Sequence, residues 1–483
     1  MATTTRDDLL TETGDGDGGF TQAHGPFREY RRTLATQADG SVRETIDYRL
    51  RVPGWGWLFR YPIRRALRHR RPAGTPSPWW APPDQLTARQ ASALALLATA
   101  AMSSAFANTI FTQTATFAAD SFGIDENGLG WSGAVVRVGV VIALPFAVLA
   151  DRLGRRRTIT LLAWLTPLCC ALGAIAPTFW ALTASQTVAR PLGIALSMLA
   201  GVAAAEDMPR NSRAYALSVL AMAAGLGAGV AVGALRLTDI GPEGWRLVYV
   251  LALVWLPVAV SLGRNLDETR RFETVHHINP PMNRRRLGII ALVALTSNLF
   301  IAPASFFQNN YLDKVRDYSG GGITLFTFIT ATPASIGLIL GGRWADVGGR
   351  KRVIAICTPI STILIVGVYF SSGPAMWGAA FGGAVIASMA YPAFAVYRAE
   401  MFPTGNRGWA NGLVTTVALL SGSLGILLVG ALRDHGADYG AVMAALGIGQ
   451  LMSALLAYRF YPESAHLELE QLNPEDPVVS DRE

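Results

Sequence analysis

Two short charged stretches carry the chemistry of this sequence, and both read Asp-x-x-Gly-Arg-[Arg/Lys]-Arg. One runs from Asp151 to Arg157 and the other from Asp346 to Arg352, 195 positions further on. A carboxylate, a glycine and a run of guanidiniums at this spacing suit reversible ion pairing. The carboxylate can sit against the positive N-terminus of a neighbouring helix or against the arginines that follow it, and the glycine permits the tight reversal between them. Partners occur in duplicate as well. Glu206, Pro209 and Arg213 spell Glu-x-x-Pro-x-x-x-Arg, as do Glu400, Pro403 and Arg407. Asp267-Glu268-Thr269 is echoed by Pro462-Glu463-Ser464, and Val-Gly-Ala-Leu-Arg occurs at 232–236 and again at 429–433. Four matches in register mark a tandem duplication, and in an apolar chain that is the mark of a transporter. The expected arrangement is a duplicated ring. Asp151, Arg152, Gly154, Arg155, Arg156, Glu206 and Arg213 belong to one copy; Asp346, Gly349, Arg350, Lys351, Glu400 and Arg407 belong to the other. Glu268 and Glu463 are further partners for the arginines.

The elements that must position these residues are membrane helices. Half of the residues are apolar and 16% are charged, against roughly 25% in soluble domains. From about residue 91 there are twelve apolar segments, near 92–118, 129–150, 157–176, 179–204, 214–235, 245–263, 287–311, 322–342, 353–371, 374–397, 408–432 and 438–459. Each supplies the roughly 20 helical residues that a ~30 Å hydrocarbon core demands, and backbone groups in lipid must be satisfied within the segment. The fold class is therefore all-α integral membrane, with twelve transmembrane helices in two six-helix pseudo-symmetric halves. Residues 91–264 form the first half, 265–286 a cytoplasmic linker, 287–461 the second half and 462–483 a cytoplasmic tail. About eighteen Arg and Lys residues lie in one set of loops against five in the other, which places the first set and both termini in the cytoplasm and the protein in the plasma membrane. That bias also accounts for the net charge of +7, so no nucleic acid is expected. Cys169, Cys170 and Cys357 lie inside apolar runs and read as packing residues.

Residues 1–90 stand apart as a cytoplasmic N-terminal segment. Residues 1–25 are Gly-rich and acidic and are expected to be disordered, and no signal peptide opens the chain. The stretch 52–72 mixes Trp55, Trp57, Phe59, Tyr61 and Ile63 with six arginines. That composition suits a bilayer interface and reads as a basic juxtamembrane linker, with a small regulatory or protein-binding element as the alternative.

The motif after the second helix, its echo after the eighth, and twelve helices in two halves resemble the major facilitator superfamily over about residues 91–472. The family's motif also places a glycine four positions before the aspartate; Gly342 matches, whereas Ala147 holds that place in the first half. AEMFPTGNRG at 399–408 and YPESAHLELEQL at 461–472 look like the sugar-porter and metabolite–proton-symporter branches. The resemblance implies that the two aspartates meet the helix starts near Arg407 and Arg213 when the protein is open to the outside.

A solute site in such a chain lies mid-membrane between the halves. Charges inside apolar segments are costly and therefore informative. Arg190, mid-way along the fourth segment, resembles the family's fourth-helix Arg-x-x-Gly arginine, linked to proton coupling or anion contact. Arg137 in the second segment lies nearer the outer end. Asn108 and Gln113 in the first helix, Asn298, Gln308 and Asn309 in the seventh, and Tyr391 in the tenth are candidate solute contacts, with Phe300 as a further aromatic wall. No carboxylate stands in the middle of any segment, so the coupling ion stays open. The expected function is secondary transport of a small polar solute, an organic anion or sugar-like metabolite, by alternating access. The chain is not read as an enzyme. No cofactor and no metal are expected, and the partners are the solute, protons and the lipid bilayer around a monomer. A drug or antibiotic exporter is the same-class alternative; a non-transporting, transporter-like sensor is the other. No G-x-x-x-x-G-K-[ST] loop is present, which argues against direct ATP drive.

Overall fold

The computed structural model describes residues 5–476 apart from 16–18, 38–40, 51–55, 70–76, 125–127, 129–130, 134, 137–138, 274–280 and 319. The first of its membrane helices, α2, runs from Ala88 to Phe122. Thr87 opens it with a capping box to Gln90, and Gly123 closes it in the left-handed region at φ 66°, where a glycine carries no side-chain penalty. The first half continues with α3 (Ala143–Leu153), α4 (Arg155–Ala171), α5 (Phe179–Asp207), α6 (Arg213–Gly233), α7 (Trp245–Val250) and α8 (Leu256–Asn265), the last two joined by a 3-10 turn. The second half comprises α9 (Arg284–Lys314), α10 (Gly320–Ala331), α11 (Ala334–Gly348), α12 (Arg350–Val368), α13 (Gly373–Glu400), α14 (Arg407–Asp434) and α15 (Tyr439–Phe460). A short helix, α16 (Leu469–Leu472), follows in the tail.

Among the described residues, eleven helical spans are long and apolar enough to cross a bilayer. The remaining expected segment, 129–150, is described in part, as a 3-10 turn over Gly139–Ile142 leading into α3. Arg137 lies outside the described residues. The halves repeat one another in the pairing of α2 with α6 and of α9 with α14; the next neighbour differs, α5 for α2 and α15 for α9. Small residues allow these approaches: a Cβ on Gly227 would collide with the Met102 backbone, and one on Gly425 with the Leu299 carbonyl, as close helix packing in lipid requires. The two halves meet along two seams, α3 against α14 and α6 against α11.

The N-terminal segment departs from expectation. Residues 11–24, read as disordered, supply β1 (Thr11–Gly14) and β2 (Gly19–His24), and β3 (Phe27–Thr36) and β4 (Val42–Leu50) complete an antiparallel meander in the order β1-β2-β3-β4. Helix α1 (Gly56–Arg68) covers it where a basic linker was expected. The core is small: Leu10, Phe27, Tyr30, Ile63 and Leu67. A register shift between Phe27 and Glu29 lets Phe27 and Tyr30 both point inward although an odd number of positions separates them. Beside this cluster Arg32 and Glu12 pair at 2.7 Å with both side chains fully buried. Glu12 also accepts from the Tyr30 hydroxyl at 2.6 Å and from the Arg6 backbone N–H at 2.8 Å. Burial works against the Glu12 carboxylate, yet these donors hold its pKa below the ordinary range. A unit built on an ion pair has little apolar sequence to announce it.

Candidate functional site

The duplicated stretches come together at the face of the bundle that carries the two terminal segments. Asp151 ends α3, and its carboxylate accepts from the Gly408 and Trp409 N–H groups at 2.9 and 2.8 Å. Those are opening amides of α14, in the other half. Asp346 does the same near the end of α11: it accepts from Ala214 N–H at 3.1 Å and Tyr215 N–H at 2.8 Å, at the start of α6 in the first half. Each carboxylate therefore sits on the positive end of a helix across a seam.

Behind each aspartate lies a buried ion cluster. Arg155 pairs with Asp151 at 3.0 Å and Glu206 at 3.1 Å, and Arg407 of the second half reaches Glu206 at 2.6 Å. In the mirror cluster, Arg350 pairs with Asp346 at 3.3 Å and also with Glu400, and Arg213 of the first half reaches Glu400 at 3.1 Å. The side chains of Glu206, Glu400, Arg213, Arg350 and Arg407 have no solvent exposure. The third repeat closes each cluster. Thr269 Oγ1 donates to Glu206 at 2.7 Å, and Arg350 donates to Ser464 Oγ at 2.8 Å. Glu268 accepts from the Arg155 N–H at 2.9 Å, and Glu463 from the Arg350 N–H at 3.0 Å. Burial nevertheless pushes the Glu268 carboxyl up from its ordinary pKa, against the N–H donors of Arg156, Thr269 and Arg155.

The glycines have specific work. Gly154 and Gly349 adopt φ 104° and 101° between consecutive helices. A Cβ on Gly154 would strike the Glu268 carboxylate, and one on Gly349 would lie 3.0 Å from the Glu463 carboxylate. The unequal pair Gly342 and Ala147 also resolves. A Cβ on Gly342 would run into Ser218 and would lie 2.8 Å from the Ala214 carbonyl. In the other seam the small residues sit on the opposite helix: a Cβ on Gly408 would lie 2.8 Å from the Ala147 carbonyl, and one on Gly412 would lie 3.0 Å from the Ala147 Cβ. Positions 408 and 412 are the echoes of 214 and 218. Each seam thus keeps its close approach, with the glycine on one side or the other. Gly342→Ala should loosen the α6–α11 seam by about 1–3 kcal/mol, the usual cost of overpacking, and Ser218→Gly should recover part of it. Melting temperatures of the two variants and the double variant check this.

Three expected ring members play lesser parts. Arg152 is exposed and lines a surface groove with Met282 and Trp409. Arg156 turns to the Gly263 carbonyl at 2.8 Å, and the Lys351 ammonium lies over the Tyr458 ring at 5.3 Å. Sequence reasoning missed the tail. Glu468 pairs with Arg213 at 3.1 Å and Arg271 at 3.2 Å, and Asp476 accepts from the Thr404 N–H at 2.9 Å and pairs with Arg407 at 3.4 Å. Asp476 has no counterpart in the first copy, so the repeat carried no sign of it.

The solute candidates fall into two groups. Arg190 is half-buried on α5. One turn away, a Cβ on Gly193 would lie 3.2 Å from the Asn108 Oδ1, so α2 and α5 bring Asn108 close to that stretch. This Oδ1 is buried without a hydrogen-bond partner. Gln113 is half-buried further along α2. In the second half, Asn298 donates to the Ala294 carbonyl of its own helix at 3.1 Å, while Gln308 is half-buried and Asn309 exposed along α9. Tyr391 is 53% exposed, whereas Phe300 and Tyr311 are packed in the core of the second half. Phe300 therefore serves as core and not as an aromatic wall, because α9 turns that face toward α12 and α15.

Comparison with known proteins follows the same lines. Residues 97–311 and 287–480 match the Major Facilitator Superfamily. A putative metabolite transport protein of Haemophilus influenzae is 27% identical over 316 residues, covering 59% of this chain and 75% of that one. The shikimate transporter of Escherichia coli is 26% identical over 252 residues, covering 45% and 56%. Among solved structures, a proton:xylose symporter bound to 6-bromo-6-deoxy-D-glucose superposes with a TM-score of 0.68 at 16% identity, covering 80% of this chain and 99% of that one. The human organic anion transporter MFSD10 gives 0.64 at 15%, covering 75% and 98%. With two family matches spanning both halves, and a duplicated ring whose contacts run reciprocally across the two seams, this chain is a multi-pass membrane protein that belongs to the Major Facilitator Superfamily.

Proposed function

We propose that the protein is a secondary transporter that moves a small hydroxylated carboxylate across the plasma membrane by alternating access. The ring is its cytoplasmic gate, and both termini lie on the cytoplasmic side with the arginine-rich loops. The observation that carries the reading is the reciprocal seating of Asp151 on α14 and Asp346 on α6, since these contacts join the halves only when that face is shut. The ring is also built to let go. Arg155, Arg213 and Arg350 each leave a buried Nε–H without a partner, so the clusters retain a desolvation cost that opening relieves.

The anion class rests on Arg190 in α5 and the buried amide oxygen of Asn108 nearby. A planar guanidinium suits a carboxylate, and an amide suits hydroxyl groups. Known transporters of shikimate and of organic anions resemble this chain in sequence and in fold, respectively. Counterflow in proteoliposomes tests the proposal. Cyclic hydroxylated carboxylates should give saturable exchange that neutral sugars do not inhibit. Exchange of neutral sugars without effect of carboxylates would overturn the substrate class. Repeating the assay with and without a pH gradient reads whether protons drive uptake.

A further inference from the structure

Residues 77–84, ahead of α2, cross one seam of the bundle, and the duplication does not account for them. On the second-half side, Arg343 of α11 donates to the carbonyls of Ser77, Pro78 and Ala81, the last at 2.7 Å. On the first-half side, Tyr215 of α6 donates its hydroxyl to the Trp80 carbonyl at 2.7 Å. Asp84 accepts from Asn211 Nδ2 at 3.1 Å, and its N–H donates to Ser212 Oγ at 3.0 Å. The strap from Ser77 to Asp84 therefore holds α11 and α6 at once. It lies directly on the ring, because the Tyr215 N–H is also one of the two donors that Asp346 receives, and Asp346 stands one turn along α11 from Arg343.

Position 343 has Val148 as its echo in the first half, so the arginine is not part of the repeated gate. The seam between α3 and α14 carries no such guanidinium at that place. A guanidinium that gathers three backbone carbonyls of one extended segment is a seat for that segment. Gln85, the next residue, accepts from Thr11 Oγ1 at 3.0 Å and donates to the Asp8 carbonyl at 3.2 Å. The β-unit is thereby tied to the strap at the point where the strap reaches the gate.

We infer that Ser77–Asp84 is a third closure of the cytoplasmic gate, seated on Arg343, and that the N-terminal β-unit acts on transport through it. The inference rests on reading the ring as the gate. Opening that face requires α6 and α11 to separate, so the strap must leave one of them. Its contacts on the first-half side, to Asn211, Ser212 and the Tyr215 hydroxyl, are uncharged on that side and are the ones expected to yield. Removing either anchor should favour the open form by about fivefold or more, the lower range of coupling between sites.

The test uses the full chain in nanodiscs with spin labels at Arg157→Cys and Arg352→Cys, both exposed and in opposite halves. Arg343→Ala and Asp84→Ala should each add a longer distance to the distribution, while the melting temperature and monodispersity show that the protein is folded. An unchanged distribution in either variant overturns the strap. A shift in Arg343→Ala alone means that the arginine acts without the strap, and this also overturns the inference. Glu206→Gln, which breaks the ring itself, is measured beside them. If it opens the seam and the strap variants do not, the gate stands and the strap falls. If it does not, the gate reading falls as well.

Discussion

Glu206→Gln should leave the protein inserted but move its resting population from closed to open at the face that carries the ring. The Glu206 carboxylate is an acceptor that Arg155, Arg407 and Thr269 share, at 3.1, 2.6 and 2.7 Å. Removing its charge leaves Arg155 with Asp151 and Arg407 with Asp476, at 3.0 and 3.4 Å, and takes away the carboxylate that draws the two buried guanidiniums together across the seam. Breaking a buried pair outright costs about 3–5 kcal/mol; with one carboxylate left to each guanidinium the shift is smaller, about tenfold or more in an equilibrium between two arrangements. The cost falls on the closed form, because the guanidiniums regain water when the halves part. Glu400→Gln should do the same from the other seam, where Arg213 would keep Glu468 and Arg350 would keep Asp346 but the carboxylate they share would be lost. Hydrogen–deuterium exchange at the Gly408 and Trp409 amides provides the readout. Both N–H groups are bonded to Asp151 when the face is shut and should exchange at least tenfold faster in either variant. Unchanged protection would mean that the ion clusters set stability and not state.

Arg190→Ala should weaken carboxylate binding strongly without unfolding the protein. An arginine on a membrane helix costs at least about 2.5–3.5 kcal/mol on insertion scales, so its retention in α5 calls for a use. A charge-assisted hydrogen bond contributes about 1.5–3 kcal/mol, so removing one should weaken affinity roughly 10- to 100-fold. Arg190→Lys keeps the charge but loses the planar fork, and should weaken binding by about tenfold. Binding and melting temperature measured together separate the two roles. A variant that binds like the parent removes the anion site, and one that melts early with its binding intact marks Arg190 as helix packing.

The ring was legible because the same residue types recur at one offset, and a duplicated pattern leaves few ways to pair them. Thr269 and Ser464 lie inside the repeats, yet their hydroxyls stand out only with Glu206 and Arg350 beside them. Other features depend on chain segments far apart in sequence. That Ala147 needs no glycine follows from Gly408 and Gly412 on a helix of the other half. Arg343 is one arginine among many at the basic face until its three carbonyl partners near residue 80 are in view. The β-unit was hidden for a different reason. Among the described residues its interior holds Arg32, Glu12 and Arg6 beside six buried apolar residues, so hydrophobic alternation along residues 6–50 is weak. Along α9, Phe300 and Gln308 share a helix, and periodicity alone does not tell which face meets the core and which the solute path.

The central claim is that the duplicated ring is a gate that the solute opens. Spin labels at positions 157 and 352 in the otherwise unaltered chain measure this directly. Without solute the distribution should be dominated by the short distance of the closed ring. Saturating hydroxylated carboxylate should bring up a second, longer distance, and its population should rise with the same concentration dependence as exchange in proteoliposomes. A single unchanged distance in protein that exchanges solute would contradict the account.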